Sequence, residues 1–151
     1  YGGRTRDLLD RLMSSDNSSE IGLGIFACGE LKLVRQKKAL FQFLKSPDLN
    51  VRVHAAIALG KLGHRDGVHL ILAVVMSDDF KLSIKVLQLI ATLESEVRLL
   101  VNRLLREMVV GEIESIKSNG AYSDLSEQQI VRLRALYYIL GYSDEKLIKV
   151  A

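Results

Sequence analysis

Leu44-Lys45-Ser46-Pro47-Asp48-Leu49-Asn50-Val51-Arg52-Val53-His54-Ala55-Ala56-Ile57-Ala58-Leu59-Gly60-Lys61-Leu62 decides the fold. It carries the end of one helix, a turn and a second helix. Ser46 is the expected cap, with Pro47 at the first helical position, where its missing N–H leaves nothing unpaired, and Asp48 in the positive first turn. From Val51 onward Ala55, Ala58, Leu59 and Leu62 recur at steps of three and four, the period of an amphipathic helix. Ala55, Ala56, Ala58 and Gly60 are small enough for a neighbouring helix to come close. Gly63 closes the stretch, because glycine takes the left-handed conformation of a helix C-terminus without strain.

Displaced by 31 residues, the stretch meets itself twice. Ser46-Pro47-Asp48 falls on Ser15-Asp16-Asn17 and on Ser77-Asp78-Asp79, and Ala58 to Leu62 falls on Ala27 to Leu31 and Leu89 to Leu93. The preceding helices align as well, with Leu9, Leu40 and Ile71 in one column and Leu12, Phe43 and Val74 in another. A fixed period in which a turn and a small-residue column stay in register is the mark of a helical solenoid.

Pro47-Asp48, Val51-Arg52, Ala55-Ala56 and Ala58 to Gly63 resemble a HEAT repeat of the short type also found in phycobilin lyases. The resemblance is good in the middle copy, partial in its neighbours and absent after about Leu105. Only the middle copy has both the family's Asp and Arg, as Asp48 and Arg52; the others carry Asn17 and Ile21, and Asp79 and Ser83. The resemblance implies a superhelical surface that binds another macromolecule.

The expected fold is all-α: a right-handed helical solenoid of HEAT-like helix pairs, with repeats near 4–33, 35–63 and 67–94. A non-repeating helical cap near 96–151 would close the core, all within one domain, 1–151. Nine helices are expected and no strand. Gly22, Gly24 and Gly29 weaken the second helix unless another helix packs on them; otherwise they mark a hinge. Val97, Leu100, Val101, Leu104, Leu105, Met108, Val109, Ile113 and Ile116 form one sustained stripe, hence a long helix, with Gly111 a candidate bend. Ser126 and Gln129 have capping-box spacing, and Ile130, Leu133, Leu136, Tyr137 and Leu140 give the helix after them an apolar side.

Composition narrows the function. With 48% hydrophobic residues, one Pro, no Trp and a net charge of +3, the chain suits a helix-rich protein, and its charge is weak support for nucleic acid. Cys28 is the single cysteine, which excludes a disulfide framework and suits a buried structural thiol. No apolar run approaches the ~20 residues of a membrane span. The chain starts at Tyr1 rather than Met, as expected for a piece of a longer chain, and a cytoplasmic setting is expected.

No catalytic constellation emerges. His64 and His69 are five residues apart, off the spacing that puts two metal ligands on one helical face, and His54 stands alone. Gly22-Leu23-Gly24 lacks the third glycine of a dinucleotide loop. Neither cofactor nor metal is expected.

The faces left outside the repeat carry the functional expectation. Ser19, Asn50 and Lys81 share one register position; Leu23, His54 and Lys85 the next; Phe26, Ile57 and Gln88 the third; Glu30, Lys61 and Thr92 the fourth. These steps follow one helical face. A protein partner is expected there, with Phe26, Leu23 and Ile57 as apolar contacts and His54, Lys81, Lys85 and Gln88 as polar ones. The competing account packs Leu23, Phe26 and Ile57 inside. A second basic group, Lys32, Arg35, Lys37 and Lys38 with Lys61, His64 and Arg65, is a solvated turn or an edge for phosphate. The alternatives to a protein-interaction scaffold are therefore an electrostatic nucleic-acid-backbone binder and a phycobilin-lyase-like enzyme.

Overall fold

Asn17, Asp48 and Asp79, spaced 31 residues apart, each start a helix. The computed structural model describes residues 3–119 together with 126, 127, 129, 130 and 133. In it Asn17 accepts the backbone N–H groups of Ser19 (2.9 Å) and Glu20 (3.3 Å). Asp48 accepts those of Asn50 (2.8 Å) and Val51 (3.4 Å), and Asp79 that of Leu82 (3.0 Å). Each side chain thus satisfies donors that the first helical turn leaves without partners.

The cap of the central helix is therefore Asp48, not Ser46, and Pro47 lies outside the helix. Asp48 has the extended backbone of a cap residue, while the Ser46 hydroxyl accepts the Asp48 N–H at 3.2 Å. The same two-residue arrangement occurs one repeat earlier, where Ser15 accepts the Asn17 N–H at 3.0 Å. Asn17 also moves the start of its helix to Ser18, ahead of the Ile21 that hydrophobic periodicity indicates.

The helices are α1 (Gly3–Met13), α2 (Ser18–Glu30), α3 (Lys37–Phe43), α4 (Leu49–Lys61), α5 (Val68–Val75), α6 (Phe80–Ile90) and α7 (Ser95–Asn119), with a 3-10 turn at Val34–Gln36 before α3. The first six form three pairs. Among the described residues there is no strand. By their contacts the residues fall into two compact units, 1–101 and 102–151.

In the first unit the core is the repeat itself. Leu9, Leu40 and Ile71 are buried in the first helices of the pairs, and Cys28, Leu59 and Ile90 in the second helices. Ile25, Ala56 and Leu87 make another buried column. Each register position thus contributes one layer, and successive layers continue the same apolar interior.

The first two second helices also end alike. Leu33 N–H reaches Cys28 C=O (3.0 Å) and Lys32 N–H reaches Gly29 C=O (3.3 Å); 31 residues later His64 reaches Leu59 (2.9 Å) and Gly63 reaches Gly60 (3.1 Å). This is the paired hydrogen bonding of a Schellman terminus. Its left-handed residue is Gly63 in one copy (φ 89°) and Lys32 in the other (φ 53°). Lys32 bears the strain of a side chain there, and its ammonium donates to Lys61 C=O at 2.6 Å.

The period breaks at the third copy. Glu94, at the register position of Lys32 and Gly63, instead caps α7: its carboxylate accepts the N–H groups of Glu96 (3.0 Å) and Val97 (3.3 Å). Those bonds, that of Glu96 foremost, hold its carboxyl below the usual range. Its own N–H donates to Gly60 C=O at 3.1 Å. The helix assignment of α7 continues through Gly111, and Val97, Val101, Leu105 and Val109 are buried along it.

The capping box at Ser126 is present: Ser126 N–H donates to Gln129 Oε1 (2.9 Å), and Gln129 N–H to Ser126 Oγ (3.2 Å). Beyond it Glu127, Gln129, Ile130 and Leu133 are helical, as expected for the eighth helix; the rest of that helix and the ninth lie outside the described residues.

Candidate partner-binding groove

The three second helices, α2, α4 and α6, are brought side by side by the repeat, but their two junctions differ. Between α2 and α4 contact is intimate. A Cβ on Gly29 would lie 3.1 Å from Ala58 Cα, and one on Gly22 would lie 3.5 Å from the His54 ring. The glycines of α2 are thus packing positions rather than a hinge, and Gly24 similarly faces Met13 and Leu12.

Between α4 and α6 a groove opens. The column that holds Ala27 and Ala58 in the first two copies holds Leu89 in the third, and Leu89 lines the opening. A bulky residue where close approach needs a small one keeps two helix axes apart. Val53, Ile57, Ala58, Leu82, Val86 and Leu89 make an apolar cavity of about 120 Å³, with Phe26, Asn50, His54, Lys61 and Lys85 completing its lining.

Of the seven residues expected at the partner face, Phe26, His54, Ile57 and Lys85 meet at this groove. Leu23, Lys81 and Gln88 are exposed outside its lining. The apolar three separate by depth: Ile57 is 4% exposed and belongs to the wall, whereas Phe26 (45%) and Leu23 (57%) stand in solvent one turn apart on α2. His54 is half-buried, its Nδ1 within 2.6 Å of Asn50 C=O.

Lys61 is the residue that sequence reasoning assigned elsewhere. Grouped with a basic turn, it is in fact 3% exposed and forms an ion pair with Glu30 on α2. Its ammonium also lies 4.5 Å from the centroid of the Phe26 ring, a cation–π contact. The pair spans one repeat, so the column Glu30, Lys61 already contained the signal as opposite charges in neighbouring copies. Hydrogen bonding to Lys61, with its charge, holds the Glu30 carboxyl below the usual range; Lys32 adds to this.

Other members of the basic turns are also occupied. Lys37 sits over the Phe41 ring at 5.6 Å, the His64 ring lies tilted against the same ring with centroids 5.9 Å apart, and Lys32 is bound to Lys61 C=O. Arg35, Lys38 and Arg65 remain exposed. Cys28 is buried, with Sγ 3.5 Å from Met13 Sδ; burial, then the Asp10 charge, pushes its thiol pKa up. Among the described residues no three His, Cys, Asp or Glu side chains could together hold a metal ion. None of the described helices is long and apolar enough to cross a membrane.

Helix pairs that share a cap, a core column and a period, with their second helices side by side, define a helical-repeat protein. Residues 5–91, more than half of the chain, match the family described as HEAT repeats, and the chain belongs to that family. Its helix pairs build a solenoid, and proteins of this kind are in general interaction scaffolds rather than enzymes. No curated protein and no solved structure matches the chain.

Proposed function

We propose that this chain is a protein-interaction module that receives its partner along the second-helix face, at the groove between α4 and α6. The observation that carries the reading is Phe26, a large apolar side chain exposed in the lining of an apolar groove, with Leu23 exposed one turn away on α2. Scattered exposed hydrophobes are ordinary, whereas an exposed apolar pair continuous with an apolar opening is what a binding surface presents. Phe26 and Leu23 are the anchors, Ile57 is part of the receiving wall, and His54, Lys81, Lys85 and Gln88 orient the partner. Anchors of this kind carry most of the binding energy, and rim charges mainly govern encounter.

The test is site-specific photo-crosslinking in cells, with the reactive side chain at Leu23 or Lys85 in one set and at Gln42 or Ala73, exposed on first helices, in the other. The same protein adduct from both positions of the first set, absent from the second, is the expected result. Adducts confined to the second set would place the partner on the opposite face.

A further inference from the structure

We propose that the groove between α4 and α6 recognises a short acidic–apolar peptide segment: one Leu- or Phe-sized side chain in the cavity, with Asp or Glu carboxylates within about one helical turn of it. The proposal rests on the groove being the partner site and adds which chemistry it selects.

Size sets the first element. The cavity, about 120 Å³, approaches the roughly 150 Å³ of an apolar cavity that accepts a benzene-sized guest. It therefore takes one side chain and not a helix face. Its walls are mainly apolar, made by Val53, Ile57, Ala58, Leu82, Val86 and Leu89, with Asn50, His54, Lys61 and Lys85 as the polar part of the lining, so an apolar side chain is favoured in it. Phe26, part of the lining, and Leu23, one turn away on α2, are both exposed, and a guest confined to the cavity would leave Leu23 bare. A peptide chain running past the opening can reach it as well.

Charge sets the second element. Lys81 and Lys85 stand one turn apart on α6, both exposed, and neither has an ion-pair partner among the described residues. Like charges at that spacing repel, and a carboxylate placed between them turns repulsion into attraction. Glu30 is engaged with Lys61 and Asp79 with the first turn of α6, while Asp78, three residues before Lys81, is exposed. The face thus offers two exposed lysines without ion pairs among the described residues on one lip and apolar surface on the other. Its complement is a segment with apolar and acidic side chains on adjoining sides.

Panning a displayed library of random dodecapeptides against the wild-type chain and against the Lys81→Glu/Lys85→Glu double variant tests this. Both substitutions are at exposed positions, and a matching thermal transition verifies that the variant folds. Wild type should enrich peptides with Leu, Phe or Met next to Asp or Glu, and the variant should shift the flanking residues to Lys or Arg. A synthetic peptide from the wild-type pool should lose about tenfold or more in affinity when its apolar residue becomes Ala. Enrichment without acidic bias, the same motif from both proteins, or no enrichment at all would overturn the proposal. Any of these leaves the crosslinking pattern from Leu23 and Lys85 to stand or fall by itself, so failure of the chemistry is distinct from failure of the site.

Discussion

At the scale of single residues the fold depends on side chains that satisfy helix ends. Asp48 is the central case, since its carboxylate is the side-chain acceptor for two N–H groups at the start of α4. Asp48→Ala should lower stability by about 1 kcal/mol, whereas Asp48→Asn, still able to accept, should cost much less. Urea unfolding of both variants reads the difference, and equal losses would contradict the cap assignment. The Glu30–Lys61 pair makes a prediction about pH. Because Lys61 holds the Glu30 carboxyl low, the pair stabilises the fold above the ordinary carboxylate range. That contribution disappears as pH falls through the lowered value. Lys61→Met keeps an unbranched apolar stem and removes the charge, so stability should fall less steeply between neutral and acidic pH than in wild type. An unchanged acid dependence would show that the pair is not coupled to folding. The cap position was legible in the period, because Asn17, Asp48 and Asp79 align; the choice of Asp48 over Ser46 was not. Several neighbouring polar residues can cap, and only backbone geometry selects among them.

Elements in this chain are spaced by the small residues between them. Gly67 lies against Ala56 so closely that an added Cβ would come within 2.6 Å of Ala56 Cα. The collision is with backbone, which cannot turn aside, so Gly67→Ala should destabilise by about 1–3 kcal/mol. Ala58 is buried opposite Gly29, and Ala58→Arg should cost several kcal/mol by forcing an unpaired charge into that junction. Thermal unfolding of either variant at the wild-type temperature would refute the packing described. The close junction of α2 and α4 was readable as a column of small residues, as were the pairing of helices and their order. The open junction was less so. Leu89 appeared as a departure from an alanine column, but whether a larger side chain fills space or separates two helices depends on its neighbours in three dimensions. Likewise Ile57 shares a register position with Phe26, yet one is wall and the other rim, because α4 lies between α2 and α6, whereas among the described residues α2 has a second helix on one side only.

For the whole molecule the repeat determines which surfaces are built. Three similar helix pairs bring corresponding positions together, and the copies differ at the proposed partner face: Leu89 at the opening, Lys81 and Lys85 in charge, Phe26 and Leu23 in exposed apolar area. Residues distributed over three helices leave no contiguous motif in the sequence, which is why the face was legible as a set of columns and the groove was not. Phe26→Ala should weaken partner binding by about 1–3 kcal/mol with little dependence on salt. Lys85→Glu should act mainly on the association rate and reduce its sensitivity to salt. Most direct is the photo-crosslinking comparison between second-helix and first-helix positions. The account predicts one shared protein adduct from Leu23 and Lys85 and none from Gln42 and Ala73; adducts from Gln42 and Ala73 alone would contradict it.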